Sequence, residues 1–100
     1  MKPASHSPLY VVFFPELAEI ARAHGYAMAV HGSIASDFDI ICIPWVDNAA
    51  DPEDVVKKIG EDFSFPVIGK PSDREHGRRV WTLSLGGPGY IDLSFTPRTT

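Results

Sequence analysis

Three aspartates lie in segments that we predict to be strands, at positions that could bring their carboxylates together. Asp37 and Asp39 are two residues apart at the start of an apolar segment, and Asp92 lies within the later segment 90–95. Successive side chains of a strand point to opposite faces, so Asp37 and Asp39 share a face. If the strand that holds Asp92 lies next to theirs, we expect all three carboxylates to converge.

If the three carboxylates converge, their mutual repulsion lowers the stability of the fold unless a cation binds between them. Two like charges about 4 Å apart repel by about 1 kcal/mol in bulk water and by about 4 kcal/mol at an effective dielectric of 20. Mg²⁺ prefers oxygen ligands and is usually held by one or two carboxylates together with phosphate oxygens. Two such ions can hold the attacking and leaving oxygens of a phosphoryl-type displacement. We therefore predict that Asp37, Asp39 and Asp92 bind Mg²⁺ or Mn²⁺ and are the catalytic residues.

Residues suited to binding phosphate accompany these aspartates. Gly32 lets a backbone approach a phosphate closely, and the Ser33 hydroxyl with nearby backbone N–H groups can donate to its oxygens. Ser36 is a further candidate ligand, although serine is equally suited to forming a turn. Within the basic segment 70–79, Arg78 is our candidate for a phosphate clamp, since a guanidinium group matches phosphate oxygens. A solvated loop is the alternative interpretation of that segment.

The order of these motifs resembles a known family. The His-Gly-Ser at 31–33, the Asp-Phe-Asp at 37–39 and Asp92 in a later strand look like the DNA polymerase β-like nucleotidyltransferase superfamily, in particular its small phage- or prophage-type minimal domains. The resemblance implies a mixed sheet flanked by helices, with the Gly-Ser pair holding a nucleoside triphosphate. It also implies that the first two aspartates bind both metal ions, and that Asp92 binds the catalytic ion and acts on an acceptor hydroxyl.

Two other functions remain open on the same residues. Only three residues, 34–36, separate the Gly-Ser pair from the Asp-x-Asp, fewer than the 3.6 of one helical turn, where the family has a short helix. The alternative is therefore an inactive member of the fold that binds a nucleotide or a protein partner, and that could be a homo-oligomer. A metal-dependent phosphoesterase using the same carboxylates is a third interpretation, which would release phosphate instead of pyrophosphate.

The elements that position these residues follow from periodicity and turn residues. We expect a loose arm over residues 1–8 and one domain over residues 9–97. A helix is predicted to open at Pro15, or near Leu9 with a kink at Pro15, and to end at Gly25. The later elements are strands at 26–31 and 38–45, a helix from Asp51 to Phe63, a short strand at 66–68 followed by a polar loop, and a hairpin of 80–85 with 90–95.

This element order is typical of an α/β (α+β) domain with a mixed sheet and helices packed on it. The segment 38–45 is apolar at nearly every position, which favours a central strand covered on both faces. Glycines and a proline at 86–89 are the turn residues of the predicted hairpin.

Composition and charge narrow the class of protein. With 100 residues the chain forms one domain, and with 9 basic against 13 acidic residues its net charge is −4. General binding of nucleic acid is not expected, because that mode depends on neutralising phosphates. The single cysteine, Cys42, cannot form an intrachain disulfide, which is typical of a reducing compartment. A membrane span needs about 20 consecutive apolar residues, and no segment of the sequence has so many. We expect a cytoplasmic protein.

Overall fold

The computed structural model describes residues 7–31, 37–86 and 89–98. The strands form one five-stranded sheet in the order β1-β2-β5-β4-β3. The β2–β5 pair is parallel and the other pairs are antiparallel, which confirms the predicted mixed α+β architecture. Along the chain the elements are α1 (Ser7–Ala23), β1 (Tyr26–Val30), β2 (Asp37–Pro44), α2 (Pro52–Phe63), β3 (Val67–Asp73), a short 3-10 helix (Glu75–Gly77), β4 (Arg79–Ser84) and β5 (Tyr90–Phe95).

Helix α1 begins at Ser7 and continues through Pro15. It therefore includes the last two residues of the predicted arm 1–8, of which residues 1–6 lie outside the described residues. A proline inside a helix costs about 3 kcal/mol or more; here Tyr10 and Leu17, on either side of it, are both fully buried. Among the described residues, no helix has the length and apolarity that crossing a bilayer requires.

Both helices pack on one face of the sheet. Along β2 buried residues alternate with more exposed ones. The expectation that β2 is covered on both faces is wrong, because Ile41 and Ile43 lie on the face without helices, where Ile43 is 45% exposed. The buried core on the helix side includes Tyr10, Leu17 and Ala21 of α1, Val55, Val56 and Ile59 of α2, and Phe38, Ile40, Cys42, Leu83, Ile91, Leu93 and Phe95 of the sheet.

A glycine makes the turn from α1 into β1, as predicted. Gly25 has a φ of +90°, which residues with a Cβ adopt only with strain. A Cβ at this position would lie 2.7 Å from Val46 Cγ2 and 2.9 Å from Ala49 Cα. The Gly25 carbonyl accepts a hydrogen bond from the Trp45 N–H at 3.0 Å. The close approach therefore joins the start of β1 to the end of β2.

The helix α2 starts where Asp51 and Pro52 predict, but Asp51 does not cap it with its side chain. The Asp51 carboxylate instead contacts Arg98 at 2.8 Å. A second guanidinium nitrogen of Arg98 donates to the Ala49 carbonyl at 3.2 Å. The end of the described chain is thus fastened to the start of α2.

The edge strand β3 is longer than the predicted strand at 66–68. It continues to Asp73, with every residue exposed, and its register with β4 shifts between Ile68 and Ser72. Gly69 within this irregular stretch has a φ of +66°, and Pro71 has no N–H to donate. Bulges and prolines are tolerated at sheet edges, so residues 69–73, predicted as the start of a loop, form an irregular continuation of the strand.

Candidate functional site

The parallel pairing of β2 with β5 places Asp39 directly beside Asp92. Paired residues of neighbouring strands point to the same face, here the face without helices. Asp37 pairs with Tyr90 instead, one step along the same face. The structure therefore brings two of the three predicted carboxylates together, with the third at the beginning of the strand.

A cleft of about 210 Å³ opens over the Asp39–Asp92 pair. Its acidic side is formed by these two strand residues. Its basic side is formed by Arg74 and Arg78 from the connection between β3 and β4, and His31 follows β1 at the cleft. Two carboxylates and two guanidinium groups in one cleft suit a ligand that contains both a cation and phosphate groups.

The Asp39 carboxyl lies where a negative charge is unfavourable. Burial raises its pKa, and Asp92 raises it further through its charge and through a hydrogen bond between the two carboxyl groups. His31 lowers this pKa, and Asp37 raises it. A raised pKa means that the site resists ionisation of both neighbours. A bound cation would relieve that repulsion.

Two hydroxyl groups of the hairpin hold the charged side chains of the cleft. Thr82 Oγ1 donates to Asp92 Oδ1 at 2.6 Å, and Arg78 Nη1 donates to Ser94 Oγ at 3.0 Å. Sequence analysis missed both hydroxyl residues. The signal lay in the alternation, since Ser94 is two residues from Asp92 and Thr82 occupies the predicted neighbouring strand.

The basic segment 70–79 is divided by the structure. Arg74 and Arg78 line the cleft, whereas Arg79 pairs with Asp73 at 3.0 Å outside it. Arg78 is thus placed where a phosphate could reach it, and its role in binding one stays a prediction. The other candidate phosphate ligands, Gly32, Ser33 and Ser36, lie outside the described residues.

The donors present fit a hard dication held by two carboxylates. Mg²⁺ usually takes one or two carboxylates and completes its shell with water and phosphate oxygens, and Asp39 with Asp92 would supply the two. Within residues 7–31, 37–86 and 89–98, no three His, Cys, Asp or Glu side chains form a group that could hold a metal ion. The described geometry thus offers a carboxylate pair, and ligation by Asp37 stays a prediction.

No family model, no curated protein and no solved structure matches the chain. The nucleotidyltransferase resemblance therefore rests on the motif residues, and function has to be argued from the cleft itself.

We expect Asp39→Asn to raise the thermal midpoint at neutral pH. The pKa of Asp39 is higher in the folded protein than its ordinary value of 3.8, so on acidification the folded state binds a proton at a higher pH than the unfolded state does. Stability therefore falls as pH rises from the ordinary pKa through the raised pKa of the folded state. Asparagine removes the charge. Favourable cross-strand pairs contribute about 0.2–1 kcal/mol and like charges directly opposite each other are destabilising; a change of about 1 kcal/mol shifts the midpoint of such a domain by about 4–8 °C.

Thermal unfolding followed by circular dichroism across a range of pH checks this. The stabilisation should shrink as pH falls and should be lost below 3.8, the ordinary pKa, because Asp39 is then neutral in both the folded and the unfolded state. Asp47→Asn, at an exposed loop position, is the matched control and should not stabilise. An Asp39→Asn effect that is destabilising at neutral pH would contradict the prediction.

Proposed function

We propose that the protein is a metal-dependent nucleotidyltransferase. It moves a nucleoside monophosphate from a nucleoside triphosphate to a hydroxyl acceptor and releases pyrophosphate. The observation that carries the proposal is the Asp39–Asp92 pair facing Arg74 and Arg78 in one cleft. Carboxylates alone would repel a triphosphate and guanidinium groups alone would repel a cation, whereas the two sets together suit a metal–triphosphate complex.

The proposed roles follow from the charge and neighbours of each residue. Asp39 and Asp92 hold Mg²⁺ or Mn²⁺, with Asp37 as a further ligand. When bound, such an ion supplies charge neutralisation at the phosphates and at the acceptor oxygen. The Thr82 hydroxyl orients the Asp92 carboxylate through its hydrogen bond. Arg78, fixed by Ser94, presents its other N–H groups to the phosphates.

The segment 32–36 belongs to the proposed nucleotide site. It follows His31, which lines the cleft, and it leads directly into Asp37 at the start of β2. The described residues that flank it are thus His31 at the cleft and Asp37, two residues before Asp39 on the same strand. We propose that Gly32, Ser33 and Ser36 bind the triphosphate, in a cytoplasmic enzyme for which general binding of nucleic acid is not expected.

One observation favours an inactive, ligand-binding module as the second candidate. The described residues form no three-ligand group, and a carboxylate pair is fewer than the three carboxylates that the resemblance implies. On that alternative the protein binds a nucleotide or a partner without turning it over. A phosphoesterase is separated from both by its product, which would be free phosphate.

Thermal unfolding with Mn²⁺ or Mg²⁺, each with and without non-hydrolysable nucleoside triphosphates, tests the proposal. A ligand at one hundred times its Kd adds about 2.7 kcal/mol, which raises the midpoint by about 10 °C or more in a domain of this size. We expect Arg78→Ala to reduce the shift with triphosphate and to leave the shift with metal alone. Arg79→Ala is the matched control, because that guanidinium pairs with Asp73.

The absence of any shift with metal and triphosphate would contradict metal-dependent nucleotide binding. A triphosphate shift that does not require a metal would favour the inactive module.

A further inference from the structure

The outer edge of β1 presents backbone groups that no described strand pairs with. β1 is the end strand of the sheet, next to β2. At one end the Trp45 N–H donates to the Gly25 carbonyl at 3.0 Å, and at the other the His31 N–H donates to the Asp39 carbonyl at 3.0 Å. Hydrogen-bonded pairs alternate along an antiparallel ladder. The odd-numbered residues of β1 therefore face β2, and the even-numbered ones, Tyr26, Met28 and Val30, direct their N–H and C=O groups outward.

The two edges of this sheet differ in how they are protected against pairing. β3, at the other edge, carries Gly69 at positive φ, Lys70, Pro71 and a break in register. Lysines, prolines and bulges are the devices that keep edge strands from pairing with another chain. The β1 sequence, Tyr-Ala-Met-Ala-Val, has none of them, and its register with β2 is regular over all five residues.

We propose that a second copy of this chain pairs with the outer edge of β1, antiparallel and about a two-fold axis at Met28. In that register Tyr26 lies opposite the partner's Val30, and Met28 lies opposite the partner's Met28. These are the residues whose backbone groups point outward, so each pair can exchange both of its hydrogen bonds. The two sheets then join into one continuous sheet, and the interface is isologous, as a closed dimer requires.

The side chains along the edge are compatible with this occupant. Ala27 and Ala29 point to the face without helices, and each would lie opposite the other alanine of the partner, where small side chains meet without a clash. On the helix side, a groove of about 370 Å³ runs along the edge and is lined by Ala18 and Arg22 of α1. Val11, 61% exposed, lies two helical turns before Ala18 on the same side. A second chain paired with β1 would cover this side of α1.

Charge along the edge also favours a second copy. β1 itself has no charged residue, so its antiparallel pairing with itself places no like charges opposite each other. The outward-facing backbone groups of β1 are not part of the Asp39–Asp92 cleft, whose carboxylates rise from β2 and β5, although His31, which lines the cleft, directly follows β1. The inference does not rest on the proposed function.

Two double variants test the register as well as the dimer. In Ala27→Lys/Ala29→Lys every lysine lies opposite a lysine of the partner, whereas in Ala27→Glu/Ala29→Lys each faces an opposite charge. We expect the wild type to have twice the 11.0 kDa chain mass by size-exclusion chromatography with light scattering. The dilysine variant should have a dimer dissociation constant at least about tenfold higher. The Glu/Lys variant should remain a dimer.

Both alanines are exposed, so neither double variant should unfold the chain. Measured on monomeric protein, their circular dichroism spectra and thermal midpoints should match those of the wild type. Hydrogen exchange on the wild type gives a second measurement that needs no substitution. The amides of Tyr26, Met28 and Val30 should become protected as concentration rises, while those of Ala27 and Ala29 are protected throughout. A monomeric wild type, including one that pairs with a peptide from another protein, would overturn the proposal. Equal dissociation constants for the two double variants would also overturn it.

Discussion

Replacing Asp39 or Asp92 with asparagine is expected to abolish the proposed nucleotidyl transfer while the protein stays folded. The two carboxylates are paired across β2 and β5, and asparagine keeps their size while removing the charge that attracts a dication. A catalytic metal supplies several kcal/mol of transition-state stabilisation, and each 1.36 kcal/mol is a factor of ten in rate. We therefore expect a loss of at least about 10³-fold in turnover from either substitution.

Stability separates this loss from unfolding. The pKa of Asp39 is raised by burial and by Asp92, so removing either charge relieves repulsion: the midpoint should rise for Asp39→Asn and should not fall for Asp92→Asn. Asp92→Asn keeps a side-chain oxygen that can accept from Thr82, the donor at 2.6 Å in the wild type. A substitution that abolishes turnover without lowering the midpoint identifies a residue that acts in the cleft and is not needed for folding.

Pyrophosphate release in the presence of Mn²⁺ or Mg²⁺ is the measurement, with Asp47→Asn as a control for an exposed aspartate. Asp37→Asn should be measured in parallel, because Asp37 pairs with Tyr90 and not with another acid. A large loss there would establish that the third carboxylate joins the site. Wild-type turnover in the Asp39→Asn/Asp92→Asn double variant would exclude this cleft as the catalytic centre.

The shared face of Asp37 and Asp39 could be predicted because strand alternation is local. Placing Asp92 beside Asp39 required knowing which strands are neighbours. Here α2, β3, a 3-10 helix and β4 intervene in the chain between β2 and β5, the two strands that pair in parallel. From the sequence alone, the pairing of β2 with β5 could be stated only as a condition for the carboxylates to converge.

Other features could not be decided from local signals because packing outweighed them. Pro15 favours a helix start, so the sequence left open whether α1 begins there or near Leu9; with Tyr10 and Leu17 buried on either side, the helix continues through Pro15. The apolar run of β2 suggested cover on both faces, yet Ile43 is 45% exposed. Hydroxyl partners such as Thr82 are common in strands, and only the register with β5 gives this one a role.

The isoleucines on the open face of β2 lie beside the proposed dimer edge. Ile41 and Ile43 pair with Ala29 and Ala27 of β1, on the face without helices. Extending the sheet past β1 would lengthen this apolar strip across two chains. The polar cleft over β2 and β5 and the apolar strip beside it thus divide one sheet face into two regions of different chemistry.

Phe38→Ala is expected to cause the largest loss of stability among the substitutions considered. Phe38 lies between the two aspartates of β2 and is 1% exposed. Its ring stacks on Tyr10 with centroids 4.7 Å apart and meets the Phe14 ring edge-on at 6.1 Å. Truncating a buried phenylalanine to alanine costs about 3–5 kcal/mol, a large part of the about 5–15 kcal/mol that holds a domain folded.

Urea unfolding measures this change, with Val12→Ala as the control because that side chain is 69% exposed. The control should change the free energy of unfolding by about 0.5 kcal/mol or less, and Phe38→Leu should fall between the two. A Phe38→Ala loss below about 1 kcal/mol would contradict the packing described here. The burial of Phe38 also matters for the cleft, because a one-residue slip of a strand exchanges its two faces. Phe38 therefore keeps the carboxylates of Asp37 and Asp39 on the open face by holding the side chain between them in the core.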